Sequence, residues 1–158
     1  MHGLLQIPDY MRALYWSLNP QGTEKEADRM VKLRQERQQV LTRRAPPLRL
    51  TAVLGAGCLA RQVGGPQTVA AQEARLRELA ALDHIDIRII PWDAGAHAAI
   101  HLGPFTIFHF PEPDDPSVVY LETHTGTRYL ERPEELAEYR RIYDLIYEKS
   151  TPIEEYSP

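Results

Sequence analysis

Four residues have side chains and neighbours suited to acid–base or nucleophilic chemistry. Cys58 follows an apolar run and opens a short predicted helix, where the helix dipole lowers the pKa of a thiol. Glu122 and His124 stand between an apolar strand and a turn, and His109 lies at the end of another strand. Carboxylates and imidazoles are common general acids and bases. If the protein is an enzyme, these four are its candidate catalytic residues. The competing explanation is a buried structural cysteine and an ordinary strand-end glutamate.

A second group of side chains has the composition of a ligand pocket, which is mostly aromatic with a few polar groups. Its members are Tyr10, Trp16, Trp92, Asp93, His97, Tyr120 and Glu122. Aromatic residues are equally expected in a core, so ordinary packing is the competing explanation for them.

Two histidines raise the question of a metal site. His97 and His101 are four residues apart, so one helical turn would place both on one face. A third ligand could be Asp93, just before the pair, or His109, Glu122 or His124 further along the chain. The sequence contains no H-E-x-x-H and no other recognised ligand spacing. We therefore expect no metal.

The segment "LTAVLGAGCLARQVGG" (50–65) contains the pattern G-x-G-x-x-A of a dinucleotide-binding turn. Such a turn needs a helix of normal length behind it, then a second strand ending in an acid about 20 residues on. Here Gly64, Gly65 and Pro66 shorten the helix, and position 78 falls inside a predicted helix. The segment is therefore expected to be a tight strand-to-helix turn in which the glycines relieve crowding, and no cofactor is predicted.

Composition sets broad limits on function. The chain has 158 residues, one cysteine and a formal net charge of −4, which favours one domain without a disulfide framework and without a broad nucleic-acid-binding surface. Basic residues concentrate in 29–49 and acidic residues from Glu112 onward. No apolar run is long enough to span a membrane, and the N-terminus does not resemble a signal peptide. We expect a cytoplasmic protein.

Hydrophobic periodicity and turn residues predict the order α-α-β-α-β-β-β-α. Thr23 and Glu26 have the spacing of a helix capping box, and that helix is expected to run to about Arg43 and to be ended by "APP" (45–47). The predicted strands are 48–54, 85–90, 105–110 and 117–123, and the last three are close enough to form an antiparallel meander, with a turn at "PEPDDP" before the last of them. The predicted long helices are 7–19, 24–43, 68–82 and 133–149. We expect an α+β domain over 1–150 with a mostly antiparallel four-stranded sheet covered by helices, and a loosely held tail over 151–158.

Several phrases, in order, resemble one protein family. "GLLQIPDYMRAL", "RMVKLRQERQQVL" and the stretch from "IRIIPWDAGAHAAIHLGPFTIFHF" through "VVYLE" are similar to the domain of unknown function that follows the helix-turn-helix in actinobacterial XRE-type, antitoxin-like transcriptional regulators. The resemblance covers about residues 3 to 150. It implies a regulatory or sensor module that binds a small ligand or a small partner protein, with a homodimer as a variant. It implies no enzyme activity and no direct contact of this domain with nucleic acid.

Two departures from the family pattern matter. The helix-turn-helix that should precede "GLLQ" has no counterpart in this sequence, and the family's usual acidic pair is replaced by Gly55 and Ala56. They motivate the alternative of a free-standing relative recruited to natural-product biosynthesis, as an enzyme or a binding protein with an aromatic pocket. Gene context distinguishes the two: an upstream DNA-binding domain in frame favours the regulator.

Overall fold

The computed structural model describes residues 1–43, 46–111 and 116–157. Contacts divide this part of the chain into two compact units. The first unit contains residues 1–92 and 151–157, and the second unit is Asp93–Ser150. The α+β class is confirmed, but the strands form two three-stranded sheets rather than one sheet of four strands.

Two helices open the first unit, α1 over Pro8–Leu18 and α2 over Glu24–Gln38. The capping box is confirmed: Thr23 Oγ1 accepts from the Glu26 N–H, and the Glu26 carboxylate accepts from the Thr23 N–H. The helix ends earlier than expected, because Gln39–Leu41 tightens into a 3₁₀ turn. The segment "APP" (45–47) was predicted to end this helix, and its first residue, Ala45, lies outside the described residues.

The first sheet is built on a parallel pair of strands. Strand β1 (Leu50–Gly55) pairs in parallel with β2 (Ile85–Ile90), from Leu50 opposite Ile85 to Gly55 opposite Ile90. Between them the chain forms α3 (Gly57–Ala60) and α4 (Pro66–Ala80). The expectation that 85–90 joins an antiparallel meander is wrong, since a crossover helix returns the chain to the same end of the sheet and makes the second strand parallel.

The C-terminal residues are packed, in contrast to the expected loose tail. Strand β6 (Thr151–Pro152) pairs antiparallel with β2. Ile153 is fully buried, and its N–H donates to the Ile87 carbonyl. The Arg77 guanidinium donates to the carbonyls of Ile153 and Tyr156, at 2.6 and 3.0 Å. The segment therefore completes the first sheet.

A buried glutamine ties the N-terminal segment to α4. Gln72 is 1% exposed. Its Nε2 donates to the Leu5 carbonyl at 2.7 Å, and its Oε1 accepts from the Ile7 N–H at 2.8 Å. Both polar ends are thus satisfied by backbone groups, as buried polar side chains require.

The second unit is an antiparallel meander covered by one helix. It contains β3 (Phe105–Phe108), β4 (Val118–Thr123), β5 (Gly126–Leu130) and α5 (Pro133–Glu148). The predicted pairing of the strands at 105–110 and 117–123 is confirmed, whereas most of the "PEPDDP" turn (112–115) lies outside the described residues. Val119, Leu130 and Leu136 form the core.

Among the residues that the structure describes, no helix combines the length and apolar character needed to cross a membrane.

Candidate functional site

The glycine-rich turn of the first unit does not have the geometry of a phosphate cradle. Gly55 ends β1, the Ala56 N–H donates to the Ile90 carbonyl at 3.0 Å, and α3 is only four residues long. A Cβ added at Gly55 would meet no atom within 4 Å, and one at Gly57 would lie 3.3 Å from the Trp92 ring. The expectation that both glycines relieve crowding therefore holds only at Gly57, where the ring of Trp92 approaches.

Cys58 lies partly buried against the first core, close to Tyr10. Burial raises the pKa of the Cys58 thiol, although the N-terminal ammonium group acts in the opposite direction. The expectation that the helix dipole lowers this pKa is wrong, because α3 is a single turn and the loss of hydration dominates. The pKa of Tyr10 is raised as well, first by its own burial and then by the charge of a Cys58 thiolate.

This shift gives a measurable expectation. Because the neutral thiol is favoured in the folded protein, Cys58 contributes stability that is complete below its unfolded pKa and is lost as pH rises through the folded value. Alkylation by iodoacetamide near pH 8 should be at least about tenfold slower in the folded chain than in urea, since only the exposed thiolate reacts. The unfolded chain is the control for the same thiol, and equal rates in the two states would contradict this account.

The aromatic residues predicted for a pocket in the first unit lie in different settings. Tyr10 is 5% exposed in the core, whereas Trp92 is 73% exposed. Trp16 is partly exposed on α1 and packs edge-to-face on Tyr15, with ring centroids 5.2 Å apart. The structure thus gives these residues packing or surface positions.

The second sheet exposes a row of aromatic side chains. Phe108, Tyr120 and Tyr129 come from three neighbouring strands, with ring centroids 6.1 Å apart for the first pair and 5.4 Å for the second. Side chains alternate along a strand, so Val119, opposite Ile107 and Leu130, points to the covered face and Tyr120 to the other. We call this side, opposite the core of the second unit, the outer face. Its members are Thr106, Phe108, Val118, Tyr120, Glu122, Thr127 and Tyr129.

The outer face is well exposed for an aromatic surface. Phe108 is 43% and Tyr129 is 62% exposed, and Phe110, just beyond β3, is 48% exposed. A carboxylate lies at each end of the outer face. Glu122 lies near the β4–β5 turn. Glu131 directly follows β5, two residues after Tyr129, so the alternation of side chains places it on the same face. Both carboxylates are exposed. The surface is therefore aromatic at its centre and acidic at its margins.

Of the residues predicted for this region, Tyr120 and Glu122 share the outer face. His124 is exposed in the β4–β5 turn, which the Thr123 hydroxyl closes by donating to the Gly126 carbonyl at 2.9 Å. Sequence reasoning missed Phe108. Counting outward from the turn places Tyr129 beside Tyr120, because the two residues pair when Thr123 pairs with Gly126.

His109 has partners that the sequence did not indicate. Its Nδ1 lies 3.0 Å from the Ser117 hydroxyl, which also accepts a hydrogen bond from Arg140 at 2.9 Å. A serine beside a histidine is the arrangement of an activated nucleophile. Both His109 and Arg140 are exposed, however, whereas catalysis gains most from groups held in a water-excluded site.

A shallow groove lies between the loop before β3 and α5. It has a volume of about 300 Å³ and is lined by Ala96, His97, Ala98, Leu145, Glu148 and Lys149. Lys149 holds the loop by donating to the Ala96 carbonyl at 2.8 Å. The buried Nδ1 of His97 has no hydrogen-bond partner among the described residues. Asp93, predicted for the same pocket, is exposed outside this lining.

In the described part of the chain, no three His, Cys, Asp or Glu side chains come together as a metal site. The predicted pair His97 and His101 does not lie on an α-helix. A 3₁₀ helix spans Ala98–His101, and His97 directly precedes it.

These features define an α+β domain with a mixed first sheet and a second sheet bearing a partly exposed aromatic face. Comparison with known families matches residues 1–155 to the family described as "Domain of unknown function (DUF5753)". The chain belongs to this family, the domain that follows the XRE-type helix-turn-helix in actinobacterial proteins. No curated protein and no solved structure gave a match.

Proposed function

We propose that this chain is the regulatory module of an XRE-type, antitoxin-like transcriptional regulator in the cytoplasm, and that it binds a protein partner through the outer face. The observation that carries the proposal is the row Phe108, Tyr120 and Tyr129, in which Phe108 and Tyr129 are exposed and Tyr120 is half-buried. The opposite side of the same sheet already supplies the core, so this aromatic row is not needed for packing within its own unit.

Aromatic rings on a flat sheet suit a protein partner better than a small molecule. Ligand pockets enclose most of a small ligand, whereas protein interfaces are flatter and centre on aromatic anchors with polar margins. The outer face has that layout, with tyrosine and phenylalanine at its centre and Glu122 and Glu131 at its ends. Tyrosine adds a hydroxyl that remains satisfied in water or at a wet interface.

A small ligand is the second candidate, and the groove beside His97 supports it. The groove volume of about 300 Å³ is at the lower limit for a small-molecule site. A ligand that offers a hydrogen-bond donor or acceptor would satisfy the unpartnered Nδ1 of His97. This role is compatible with the first, because the groove and the outer face use different residues.

The enzyme alternative has weaker support. Glu122 and His124 are exposed, and the pKa of Cys58 is raised, which disfavours the thiolate. The contact of His109 with Ser117 is the one observation in its favour.

Co-purification from cells tests the proposed function. We expect the tagged chain to retain at least one protein, an untagged copy of itself included, that a Phe108→Ser/Tyr129→Ser variant loses at least tenfold in quantitative mass spectrometry. The matched control replaces exposed apolar residues elsewhere, Leu18→Ser/Ile100→Ser, and should retain the partner. If the two variants retain the same proteins in the same amounts, the outer face is not the binding surface.

A further inference from the structure

We propose that the outer face of one copy binds α2 of a second copy of this chain. This inference rests on the proposed function, because it names the occupant of the same face. Three features support this pairing: the exposed side of α2, the matching spacing of residues on α2 and on the outer face, and the opposite charges of the two surfaces.

One side of α2 carries an unusual exposed stripe. Arg29, Leu33 and Arg37 follow one another at intervals of four, so they lie nearly in line along the helix. Leu33 is 52% exposed, a large apolar side chain between two cations. Neither arginine has a carboxylate partner in the part of the chain that the structure describes.

The other side of α2 is already in use. Ala27 and Val31 are buried, and Arg34 donates to the Gln6 side chain at 2.7 Å. Gln38 donates to the Gln6 carbonyl at 2.7 Å. These contacts hold the helix against the N-terminal segment and leave the stripe of Arg29, Leu33 and Arg37 facing solvent.

The spacing of the stripe matches the spacing of the outer face. Arg29 and Arg37 are separated by about 12 Å along the helix axis. Glu122 and Glu131 are separated by about 13 Å along the strands, because position 131 lies level with Val118 in the β4–β5 register. Leu33 falls midway between the arginines, and the paired Tyr120 and Tyr129 fall midway between the carboxylates, whereas Phe108 lies level with Val118 at the Glu131 end. A single orientation of α2 on the outer face therefore places Leu33 against the two tyrosines. The same orientation places each arginine beside a carboxylate.

The charges of the two units favour the same pairing. Residues 93–150 contain eleven acidic and five basic residues, a net charge of −6, and the remainder of the chain carries +2. Arginine also stacks on aromatic rings, so the edges of the aromatic row add a second favourable contact. Complementary charge steers the encounter and selects the partner.

A charge exchange between the two surfaces tests the inference in the purified full chain. Sedimentation velocity should show wild-type association that weakens from about 50 mM to about 500 mM salt, as screening predicts. Arg29→Glu/Arg37→Glu and Glu122→Lys/Glu131→Lys should each weaken self-association at least about tenfold, because each places like charges opposite each other. An equimolar mixture of the two variants restores opposite charges at every contact and should associate as the wild type does.

The control Arg49→Glu/Arg61→Glu makes the same charge change at exposed positions away from α2 and should behave as the wild type. Circular dichroism confirms that every variant is folded. A monomeric wild type, variants that match the control, or a mixture that fails to recover would each overturn the inference. The wild type could be monomeric and still retain another protein that the Tyr129 variant loses. In that case α2 of a second copy is not what binds the outer face, and the proposed function still stands.

Discussion

Replacing Gln72 with leucine is expected to lower the free energy of unfolding by about 3 kcal/mol, since each buried polar group left unpaired costs about 1–3 kcal/mol. Leucine has nearly the volume of glutamine, so the change creates little cavity. It does leave the Leu5 carbonyl and the Ile7 N–H without the side chain that bonds both of them. The loss should loosen the N-terminal segment from α4.

Urea unfolding followed by tryptophan fluorescence measures this effect, because both tryptophans, Trp16 and Trp92, belong to the first unit. The matched control is Gln67→Leu, an exposed glutamine on the same helix. It should change stability by less than about 0.5 kcal/mol. Equal unfolding midpoints for the two variants would show that the buried hydrogen bonds do not hold the N-terminal segment.

Removing the aromatic row is expected to abolish partner binding without harming the fold. Truncating a central aromatic residue of an interface commonly costs about 2 kcal/mol or more, roughly thirtyfold in affinity. Tyr129→Ser and Phe108→Ser should therefore each weaken binding of the captured partner about tenfold or more. The double variant should lose about a hundredfold, with some departure from additivity because both rings pack on Tyr120.

The covered side of the same sheet provides the contrasting variant. Val119 is fully buried in the second core, so Val119→Ala should lower stability by about 2 kcal/mol. Its affinity for the partner, measured by titration calorimetry under conditions where it is folded, should stay near that of the wild type. If Phe108→Ser and Tyr129→Ser destabilise the protein as much as Val119→Ala does, the outer face is a packing surface.

Local elements were predictable because they depend on local sequence. The capping box at Thr23, Pro133 at the start of α5 and the alternation of strands give these elements their type and place, whereas α4 begins at Pro66, two residues before its predicted start at Thr68. Strand partners were not predictable in the same way. The pattern "IDIRII" predicts a strand but does not indicate which strand pairs with it. The 15-residue helix α4 between β1 and β2 was the signal that the two strands are parallel.

The candidate site was partly predictable for the same reason. Tyr120 and Glu122 stood out within one strand, but Phe108 and Tyr129 join them only through pairing with two other strands. The contact of Ser117 with His109 and Arg140 depends likewise on a strand pair and a helix. For Cys58, sequence indicated the helix end but not the burial, and burial decides the direction of its pKa shift.

The central claim, that the outer face binds a protein, is tested most directly by site-specific photo-crosslinking in cells. A benzophenone amino acid placed at Tyr129 should yield a discrete crosslinked protein species, and the same group at Leu18, exposed at the end of α1, should not. A Phe108→Ser change on the same chain should reduce the yield from position 129 at least about tenfold. No crosslink from position 129, or equal yields from both positions, would contradict the claim.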